Sequence, residues 1–250
     1  MYEWGHRSIK EQSMSMLMPG SITMLSEEVE LDGIDTIVGG EVAEPGSRPY
    51  LVALGFGDNS RDGQFCAGSL ISPRAVLTAA HCILDSNKNF DGAEWVEFNR
   101  HDLTEHEPGV VRMSVGESVQ IAHPSWDPFS YDFDVAVIIL SMAVSGITPV
   151  KLNEDSSVPA AGAPLDVAGW GTTAKEDTTD PPGSRDPSPV LKFTTLGYVT
   201  NEQCTTDLDP SKWVWPPEYI TENMLCAYAD ETAHCQGDSG KFSLTIVLVF

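Results

Sequence analysis

Short apolar runs separated by turn-rich stretches recur along the chain from Tyr50 onward. In the first half these runs span residues 50–56, 65–71, 75–80, 94–98, 110–121 and 135–140. No stripe with a helical period and about ten or more residues competes with them. Spacing of this kind is typical of antiparallel strands in a sandwich or a barrel. The pattern therefore predicts one β unit in the first half of the chain.

A second β unit is predicted after a short link. Residues 150–164 are polar and rich in proline and alanine, which indicates a connection between two units. Strand character resumes in residues 165–170 and 191–199. Between these runs, residues 172–189 contain four prolines and four acidic side chains, so little of this segment can be buried and several amide donors are missing. We expect a solvated surface loop there.

Two further segments are not strands. Residues 201–208 predict a short helix that is capped by Asn201 and carries Glu202 in its first turn. Residues 1–36 lack strand alternation and become acidic toward their end, so we interpret them as a flexible leader. As a secretory signal this leader is poor, because serine, proline and glycine interrupt its apolar stretch.

The charge of the chain narrows its possible partners. It has 37 acidic and 14 basic side chains in 250 residues, which gives a formal net charge of −23. Such a chain is not expected to bind nucleic acid by neutralising phosphates. No apolar run reaches the roughly 18 to 20 residues that a membrane-spanning helix needs, so no membrane partner is expected either. Hydrophobic residues make up 41% of the chain, which is enough for a packed core.

An imidazole and a carboxylate stand at the ends of two predicted strands. His81 closes the run 75–80, and Asp134 stands immediately before the run 135–140. Taken alone, His81 could be a hydrogen-bonded core histidine, and Asp134 could face water. If Asp134 is buried, its charge needs a hydrogen-bond donor, and an imidazole would serve. Asp132, two residues earlier, is the rival carboxylate.

The motif Gln236-Gly237-Asp238-Ser239-Gly240 sets a serine between glycines, which allows a tight turn. In such a turn, backbone amides can point at one spot beside the hydroxyl and stabilise a developing oxyanion. Removing one such donor typically costs roughly 3 to 4 kcal/mol. A serine hydroxyl is a weak nucleophile until a nearby base takes its proton. By itself the motif is more often only a turn.

These pieces occur together in the order His, Asp, Ser, downstream of an Ile37-Val38-Gly39-Gly40 start. In this combination the sequence resembles the trypsin/chymotrypsin family of serine proteases, in which the three residues act as base, orienter and nucleophile. The matching stretches are residues 37–40, 66–71, 77–82, 134–140, 167–171 and 235–240. The resemblance implies an all-β protease domain in residues 37–250, with two antiparallel six-stranded barrels in residues 37–155 and 156–250. Residues 1–36 would be a propeptide.

The resemblance also implies roles for individual residues. His81 would be the general base, Asp134 would fix its tautomer, and Ser239 would attack the scissile carbonyl. The backbone amides of Gly237 and Ser239 would form the oxyanion hole.

Activation by cleavage is a further implication of the resemblance. In the family, a new N-terminal amine released before such a start pairs with the aspartate that precedes the serine. Here that pair would be Ile37 and Asp238. The bond to be cut follows Thr36, not lysine or arginine, so a trypsin-like activator should not cut there and auto-activation is not expected.

The five cysteines fit the same resemblance. Cys66 and Cys82 are 16 residues apart and flank the histidine segment, as in the family. Closing such a loop typically stabilises a fold by about 3 kcal/mol. Cys204 and Cys226 would form a second bridge, which leaves Cys235 over. Two bridges imply an oxidising compartment and hence secretion, with five reduced thiols in a cytosolic protein as the alternative.

The sequence departs from the family in two places. The family continues after its serine motif with further strands and a helix, whereas this chain ends ten residues after Gly240. The second barrel is therefore expected to be incomplete, as in a chain truncated at its C-terminus. Six residues before Ser239, where trypsin-type relatives carry an aspartate, this chain has Ala233. We therefore expect a substrate pocket without a charged group. Cleavage of substrates after lysine or arginine then loses its main support.

We therefore predict a secreted serine endopeptidase that acts through an acyl-enzyme and needs no metal or organic cofactor. Its partners would be protein or peptide substrates and possible protein inhibitors, and it would be a monomer. The alternative is a catalytically inactive homologue that binds partners through a protease-like surface, or an inactive truncated product. His101, Asp102, Glu105, His106 and Glu107 cluster in a loop where some relatives bind Ca²⁺ through oxygen ligands. Of the two interpretations, a Ca²⁺ site and a solvated acidic loop, we favour the second.

Overall fold

Residues 40–116, 119–155, 157–171, 188–206 and 220–228 are described by the computed structural model, and they form two antiparallel β-sheets. The strands are β1 (Glu41–Val42), β2 (Leu51–Gly55), β3 (Gln64–Ser72), β4 (Ala75–Thr78), β5 (Trp95–Phe98), β6 (Val111–Ser114), β7 (Gln120–Ala122), β8 (Ala136–Ile139), β9 (Pro164–Gly169), β10 (Lys192–Val199) and β11 (Cys226–Tyr228). Two short α-helices, α1 (Ser60–Gly63) and α2 (Asn201–Thr206), and a 3-10 helix (Ala80–Cys82) lie between them. Within the described ranges, no helix is both long and apolar enough to cross a membrane.

The first sheet closes on itself. Its seven strands are hydrogen-bonded in the order β6-β5-β2-β3-β4-β8-β7. The two strands at the ends of this order, β6 and β7, are successive parts of one segment, residues 111–122. Because β7 follows β6 along the chain, the two ends of the sheet are brought together, as in a closed antiparallel barrel. This agrees with the barrel that the family resemblance implies.

The second sheet is built around β10. β9 pairs with β10 from Gly169 opposite Lys192 to Pro164 opposite Gly197. On the other edge of β10, β1 pairs with its beginning and β11 with its end. Among the described residues these four strands make half a barrel. The prediction of two antiparallel β units is therefore confirmed.

Strand β1 belongs to the second sheet although it precedes every strand of the first. Glu41 lies opposite Phe193 of β10. The predicted division into a first barrel of residues 37–155 and a second of residues 156–250 therefore misplaces this strand. The reason is that β1 is two residues long and exposed, so it leaves no periodic apolar signal. The rest of that division stays a prediction.

The predicted link between the two units contacts both sheets through its backbone. The amide of Val150 donates to the carbonyl of Leu70 in β3, and the amide of Gly162 donates to the carbonyl of Tyr198 in β10. Among the described residues of the range 150–164, only Pro164 belongs to a strand. The link is thus irregular in structure but anchored at both ends.

Strand β2 is buried on both faces, which places it between two apolar clusters. Val52 and Leu54 belong to the core of the first barrel. Leu51 and Ala53 alternate with them and pack in a second cluster that includes Trp170 beside the second sheet. Burying a large aliphatic or aromatic side chain typically contributes roughly 1.5 to 3 kcal/mol. The second cluster therefore holds the two sheets together.

The predicted apolar runs match the observed strands. Each of the six runs in the first half overlaps a strand, and the run 110–121 overlaps two, β6 and β7. In the second half, the runs 165–170 and 191–199 correspond to β9 and β10. The predicted solvated loop 172–189 lies mostly outside the described residues. Its Ser188 is buried, and its amide donates to the carbonyl of Gly171.

Helix α2 begins where the sequence predicts but has a different cap. The hydroxyl of Thr200 accepts the amide of Gln203 at 3.2 Å, and the side-chain oxygen of Gln203 accepts the amide of Thr200 at 3.3 Å. This reciprocal pair is a capping box. The prediction that Asn201 caps the helix is wrong, because its side-chain amide donates instead to two carbonyls of the segment before β11. Glu202 lies in the first turn, as predicted.

A buried ion pair organises the loop between β5 and β6. The side chains of Glu97 and Arg100 are 2% and 8% exposed, and Arg100 Nε lies 3.0 Å from Glu97 Oε2. Glu97 Oε1 accepts the hydroxyl of Ser60 at 2.9 Å. On the other side of the guanidinium, Nη1 lies 3.7 Å from a carboxylate oxygen of Glu107. The pair is therefore satisfied from both sides, as a buried pair must be.

The oxygens that a calcium ion would need in this loop are already engaged. Arg100 Nη1 donates to the carbonyls of Glu105 and Asp102 at 2.9 and 3.3 Å. The Glu107 carboxylate accepts the amides of His101 and Asp102 at 2.8 and 3.0 Å. The guanidinium thus supplies the positive charge that a bound cation would otherwise supply.

We expect the melting temperature of the protein to be the same in excess EDTA and in millimolar CaCl₂, because Arg100 occupies the interior of the loop. Arg100→Met should lower the free energy of unfolding by at most about 3 to 5 kcal/mol, since it leaves the buried Glu97 with the more distant Arg112, whose Nη1 lies 3.7 Å away, as its charged partner. The control Lys151→Met, at an exposed position, should have little effect. A calcium-dependent rise in the wild-type melting temperature would contradict this account.

Candidate active site

The pairing of β4 with β8 brings His81 beside Asp134. In this pair Thr78 lies opposite Ala136. Because the strands are antiparallel, the residues after Thr78 and those before Ala136 lie at the same end of the sheet. The 3-10 helix then turns the chain, so that the side chains of His81 and Asp134 meet.

Asp134 contacts His81 at two points. Its Oδ1 accepts the backbone amide of His81 at 2.8 Å, and its Oδ2 lies 2.7 Å from the imidazole Nδ1. The Asp134 side chain is 5% exposed, and that of His81 is 24% exposed. A carboxylate this deeply buried needs donors, and His81 supplies one to each oxygen. The two contacts fix both the position and the orientation of the ring.

The contact with Asp134 determines which ring nitrogen of His81 is basic. An ionised carboxylate only accepts hydrogen bonds, so Nδ1 carries the proton and donates. In the neutral ring Nε2 then bears the lone pair. Nε2 lies 3.6 Å from Cys82 Sγ, which has no hydrogen to donate because it is part of a disulfide. Nε2 can therefore accept a proton from a hydroxyl that approaches the exposed side of the ring.

The rival carboxylate, Asp132, has different partners. Its Oδ1 accepts the hydroxyl of Thr221 at 2.7 Å and the side-chain amide of Asn223 at 2.9 Å. Asn223, together with Thr221, holds the pKa of Asp132 below its ordinary value of 3.8. Between the two carboxylates that the sequence left open, the structure therefore pairs His81 with Asp134.

Four cysteines form two disulfides, of which one adjoins His81. Cys66 in β3 is bonded to Cys82, the residue after His81, so the turn is fixed to the barrel. Cys204 in α2 is bonded to Cys226 in β11. These are the two pairs that the family resemblance implies. The sulfurs of the first bridge lie close to the ring of His81, but their bond to each other leaves no thiolate for a metal ion.

Two aromatic residues just before Asp134 have left-handed backbone conformations. The φ angle is 56° at Tyr131 and 53° at Phe133. This conformation costs roughly 1 to 3 kcal/mol for such residues and persists only where surrounding contacts hold it. The ring of Phe133 stacks on His123 with 4.7 Å between centroids, and the ring of Tyr131 meets His81 edge-on at 5.9 Å. The loop before Asp134 is therefore shaped by tertiary contacts rather than by local preference.

A cavity of about 170 Å³ opens beside His81. Its wall combines apolar groups, chiefly Leu84, Trp126 and Tyr131, with the polar side chain of Asp85. The backbone amide and side chain of Asn89 donate to Asp85 and lower its pKa, so this end of the cavity carries a negative charge at neutral pH. An apolar side chain of a bound molecule would fit against the aromatic wall, next to Nε2.

Six of the residues that the sequence singled out lie outside the described residues. They are Ile37, Ala233, Cys235, Gly237, Asp238 and Ser239. Their predicted roles therefore stay predictions. The described part of the site consists of the base, its orienting carboxylate and the adjacent cavity.

Similarity to known proteins extends over most of the chain. The family model described as Trypsin matches residues 37–241, a range that contains His81, Asp134 and Ser239. The chain belongs to the trypsin family. This is a family of serine proteases. The contact between Asp134 and His81 in this trypsin-family chain is the one that the resemblance implies.

Two curated relatives show how much of a known protein this trypsin-family chain matches. It is 32% identical to coagulation factor XII of Sus scrofa over 223 residues, which cover 84% of this chain but 32% of that protein. It is also 32% identical to anionic trypsin of Canis lupus familiaris over 212 residues, covering 84% of this chain and 74% of that protein. The chain thus spans about a third of the length of factor XII.

The fold is shared with a solved structure. This chain superposes on the structure of GrC with a TM-score of 0.59 and 21% sequence identity. The superposed part covers 78% of this chain and 76% of that chain. Together with the two sheets described above, this confirms the predicted all-β fold of the trypsin type.

Sequence reasoning did not identify two parts of the site. Trp126 and Tyr131 line the cavity from a loop that has no periodic pattern. The contacts of Asp132 with Thr221 and Asn223 join residues about 90 positions apart. The only signal available was that Asp132 stands close to Asp134 and could share its environment.

We predict that Asp134→Asn changes the hydrogen bonding of the His81 ring. In the wild type, the Nδ1 proton lies in a 2.7 Å contact and should give a downfield, slowly exchanging resonance in a sample with ¹⁵N-labelled histidine. Asparagine has one acceptor oxygen and no charge, so it cannot make both contacts, and a bond that it keeps to the Nδ1 proton is weaker. Asp155→Asn changes an aspartate in an exposed turn of the link and should leave the resonance in place. An unchanged resonance in Asp134→Asn would contradict the assigned contact.

Proposed function

We propose that this chain is a serine endopeptidase in which Ser239, His81 and Asp134 cooperate to form an acyl-enzyme. The observation that carries the proposal is the two-point contact between Asp134 and His81, which directs the basic Nε2 away from the carboxylate. The sequence supplies the hydroxyl in the motif around Ser239, and the family match includes that motif.

Acylation begins with the transfer of a proton. His81 Nε2 takes the proton from Ser239 Oγ while this oxygen attacks the carbonyl carbon of the substrate. The carbonyl double bond opens, and its electron pair moves to the oxygen, which becomes an oxyanion. The backbone amides of Gly237 and Ser239 would donate to that oxyanion. His81 then gives its proton to the leaving nitrogen, the electron pair of the oxyanion re-forms the carbonyl, and the C–N bond breaks, which leaves the acyl group bonded to Ser239 as an ester.

Deacylation repeats these steps with water. Water attacks the ester carbonyl, Nε2 of His81 takes a proton from it, and the ester bond to Ser239 breaks as Oγ regains a proton. In both halves His81 becomes doubly protonated beside Asp134. A buried carboxylate within 2.7 Å of the ring favours that charge where it forms. General acid–base catalysis of this kind contributes typically about 10² to 10⁴-fold in rate.

The specificity of the proposed enzyme would have two sources. Ala233, six residues before Ser239, gives the main substrate pocket no carboxylate with which to bind lysine or arginine. The cavity beside His81, with Trp126 and Tyr131 in its wall, would accept an apolar side chain next to the bond that is cut. We therefore propose a preference for apolar over basic side chains.

The conditions under which the enzyme works follow from its covalent bonds and its charge. Two disulfides favour an oxidising compartment, and we propose that the protein is secreted. Its substrates would be proteins or peptides, protein inhibitors could compete with them, and the protease would act as a monomer without metal or organic cofactor. A net charge of −23 favours the approach of basic substrates.

A fluorophosphonate probe tests the proposal, because it reacts with an activated serine and does not need a complete substrate pocket. Wild-type protein cleaved before Ile37 should be labelled at Ser239, as located by peptide mass spectrometry. Ser239→Ala should abolish labelling. His81→Ala and Asp134→Asn should each slow it by about 10² to 10⁴-fold, since they remove the base or its orientation.

Two matched controls use residues of the same types. Ser125→Ala and His106→Ala change an exposed serine and an exposed histidine and should leave the labelling rate unchanged. If folded, cleaved protein is not labelled, the chain is not an active protease, and one of the two alternatives holds: an inactive homologue that binds partners, or an inactive truncated product.

Activation provides a separate prediction. When the residues ending at Thr36 are replaced by the recognition sequence of a site-specific protease, cleavage before Ile37 should raise the labelling rate by at least about tenfold, because the new amine can pair with Asp238. Asp238→Asn should remove that increase. Equal labelling rates before and after cleavage would show that the Ile37–Asp238 pair does not control activity.

A further inference from the structure

One oxygen of Asp132 gathers donors from both halves of the chain. Oδ1 accepts the hydroxyl of Thr221 at 2.7 Å, the side-chain amide of Asn223 at 2.9 Å and the backbone amide of Phe133 at 3.1 Å. The donors lower the pKa of Asp132, Asn223 most of all, so the side chain is ionised at neutral pH. Three donors thus converge on one acceptor oxygen, and two of them come from a segment about 90 residues away in the sequence.

The segment that supplies two of these donors is anchored in the second sheet. The side-chain amide of Asn201 donates to the carbonyls of Thr221 and Met224 at 2.6 and 3.1 Å. The amide of Met224 closes a turn onto the carbonyl of Thr221 at 3.2 Å. Strand β11 follows directly, pairs with β10 and is bonded to α2 through the Cys204–Cys226 disulfide. The donors to Asp132 therefore have a fixed position.

On the other side, Asp132 stands in the loop that carries Asp134. Its carbonyl accepts the amide of Asp127 at 3.0 Å, which closes the loop. It is flanked by the two left-handed residues, Tyr131 and Phe133. Such a backbone keeps its shape only where outside contacts hold it. The contact with Thr221 and Asn223, in the segment before β11, is one of these, and it acts two residues away from Asp134.

We propose that Asp132 is a positioning residue that fixes the His81–Asp134 pair relative to the half of the chain that carries Ser239. In sequence, Ser239 follows Cys226 at the start of β11 by 13 residues. When a nucleophile and a base lie on different halves of a chain, contacts between the halves must fix the distance between them. An error of about 1 Å in that distance can cost on the order of 10²-fold in rate. The catalytic part of this inference rests on the function proposed above.

Substitutions on both sides of the contact separate positioning from charge. Asp132→Ala removes the acceptor, whereas Asp132→Asn keeps Oδ1, to which all three bonds are made. Thr221→Val and Asn223→Ala, combined in one variant, remove the two side-chain donors that the segment before β11 supplies. This variant leaves the sequence of the loop around Asp132 intact. Asp155→Ala, which removes a carboxylate that accepts bonds in an exposed turn of the link, is the matched control.

Hydrogen exchange of the His81 backbone amide is the first readout, measured by NMR on the full chain. This amide donates to Asp134 Oδ1 at 2.8 Å, so its exchange rate reports on the pair whether or not the protein is an enzyme. Asp132→Ala and the Thr221→Val/Asn223→Ala variant should each raise the rate by on the order of tenfold. Asp132→Asn and Asp155→Ala should leave it unchanged.

The fluorophosphonate labelling rate of cleaved protein is the second readout. Asp132→Ala and the Thr221→Val/Asn223→Ala variant should each slow labelling by about 10 to 100-fold, and the combined triple variant should be no slower than either, because all remove the same contact. Asp132→Asn should restore the wild-type rate.

The proposal is overturned if the His81 amide exchanges at the wild-type rate in Asp132→Ala or in the Thr221→Val/Asn223→Ala variant. It is also overturned if Asp132→Asn is as damaging as Asp132→Ala, because the charge and not the contact would then matter. If the wild-type protein is not labelled, the proposed protease function fails, while the exchange rates still decide whether Asp132 positions the pair. If Asp132→Ala does not fold, the exchange rate in the Thr221→Val/Asn223→Ala variant decides whether Asp132 positions the pair.

Discussion

The site depends on one buried carboxylate. Asp134 is almost inaccessible to water, and a charge in that position is tolerated only if donors surround it. His81 provides both donors, one from its backbone and one from its ring. The register of β4 against β8, the 3-10 helix after β4 and the Cys66–Cys82 bridge all serve to bring the backbone of His81 to this place. The ring orientation is therefore a consequence of satisfying the aspartate.

At two other places in this acidic chain, an acidic side chain also accepts several hydrogen bonds. Glu97 receives the hydroxyl of Ser60, 37 residues away, and pairs with Arg100 beneath the loop that follows β5. Asp132 receives two side chains from about 90 residues away. At both places an acidic side chain accepts a hydrogen bond from a side chain that is distant in the sequence. The excess of acidic residues is thus partly structural, in addition to any effect on substrates.

Most strands were predictable because a short apolar run between turn-rich stretches is a local property of the sequence. His81 and Asp134 were predictable because each stands at the end of such a strand, in motifs that the trypsin family shares. Strand β1 was not, since two exposed residues carry no pattern.

The helix cap shows where local rules become ambiguous. Thr200 and Asn201 are neighbours and both are good caps. Only Gln203, three residues after Thr200, marks the capping box that forms. The partners of Asp132 and the wall of the cavity depend on loop geometry, so no local pattern could have assigned them. These contacts become visible only when distant segments are placed together.

The most direct test of the central claim is an experimental structure of the cleaved chain after reaction with a fluorophosphonate. The account predicts phosphorus bonded to Ser239 Oγ, with His81 Nε2 within about 2.6 to 3.2 Å of an oxygen of the adduct and Nδ1 still in contact with Asp134. An adduct on another residue, or a His81 ring far beyond hydrogen-bond reach of Ser239, would contradict it.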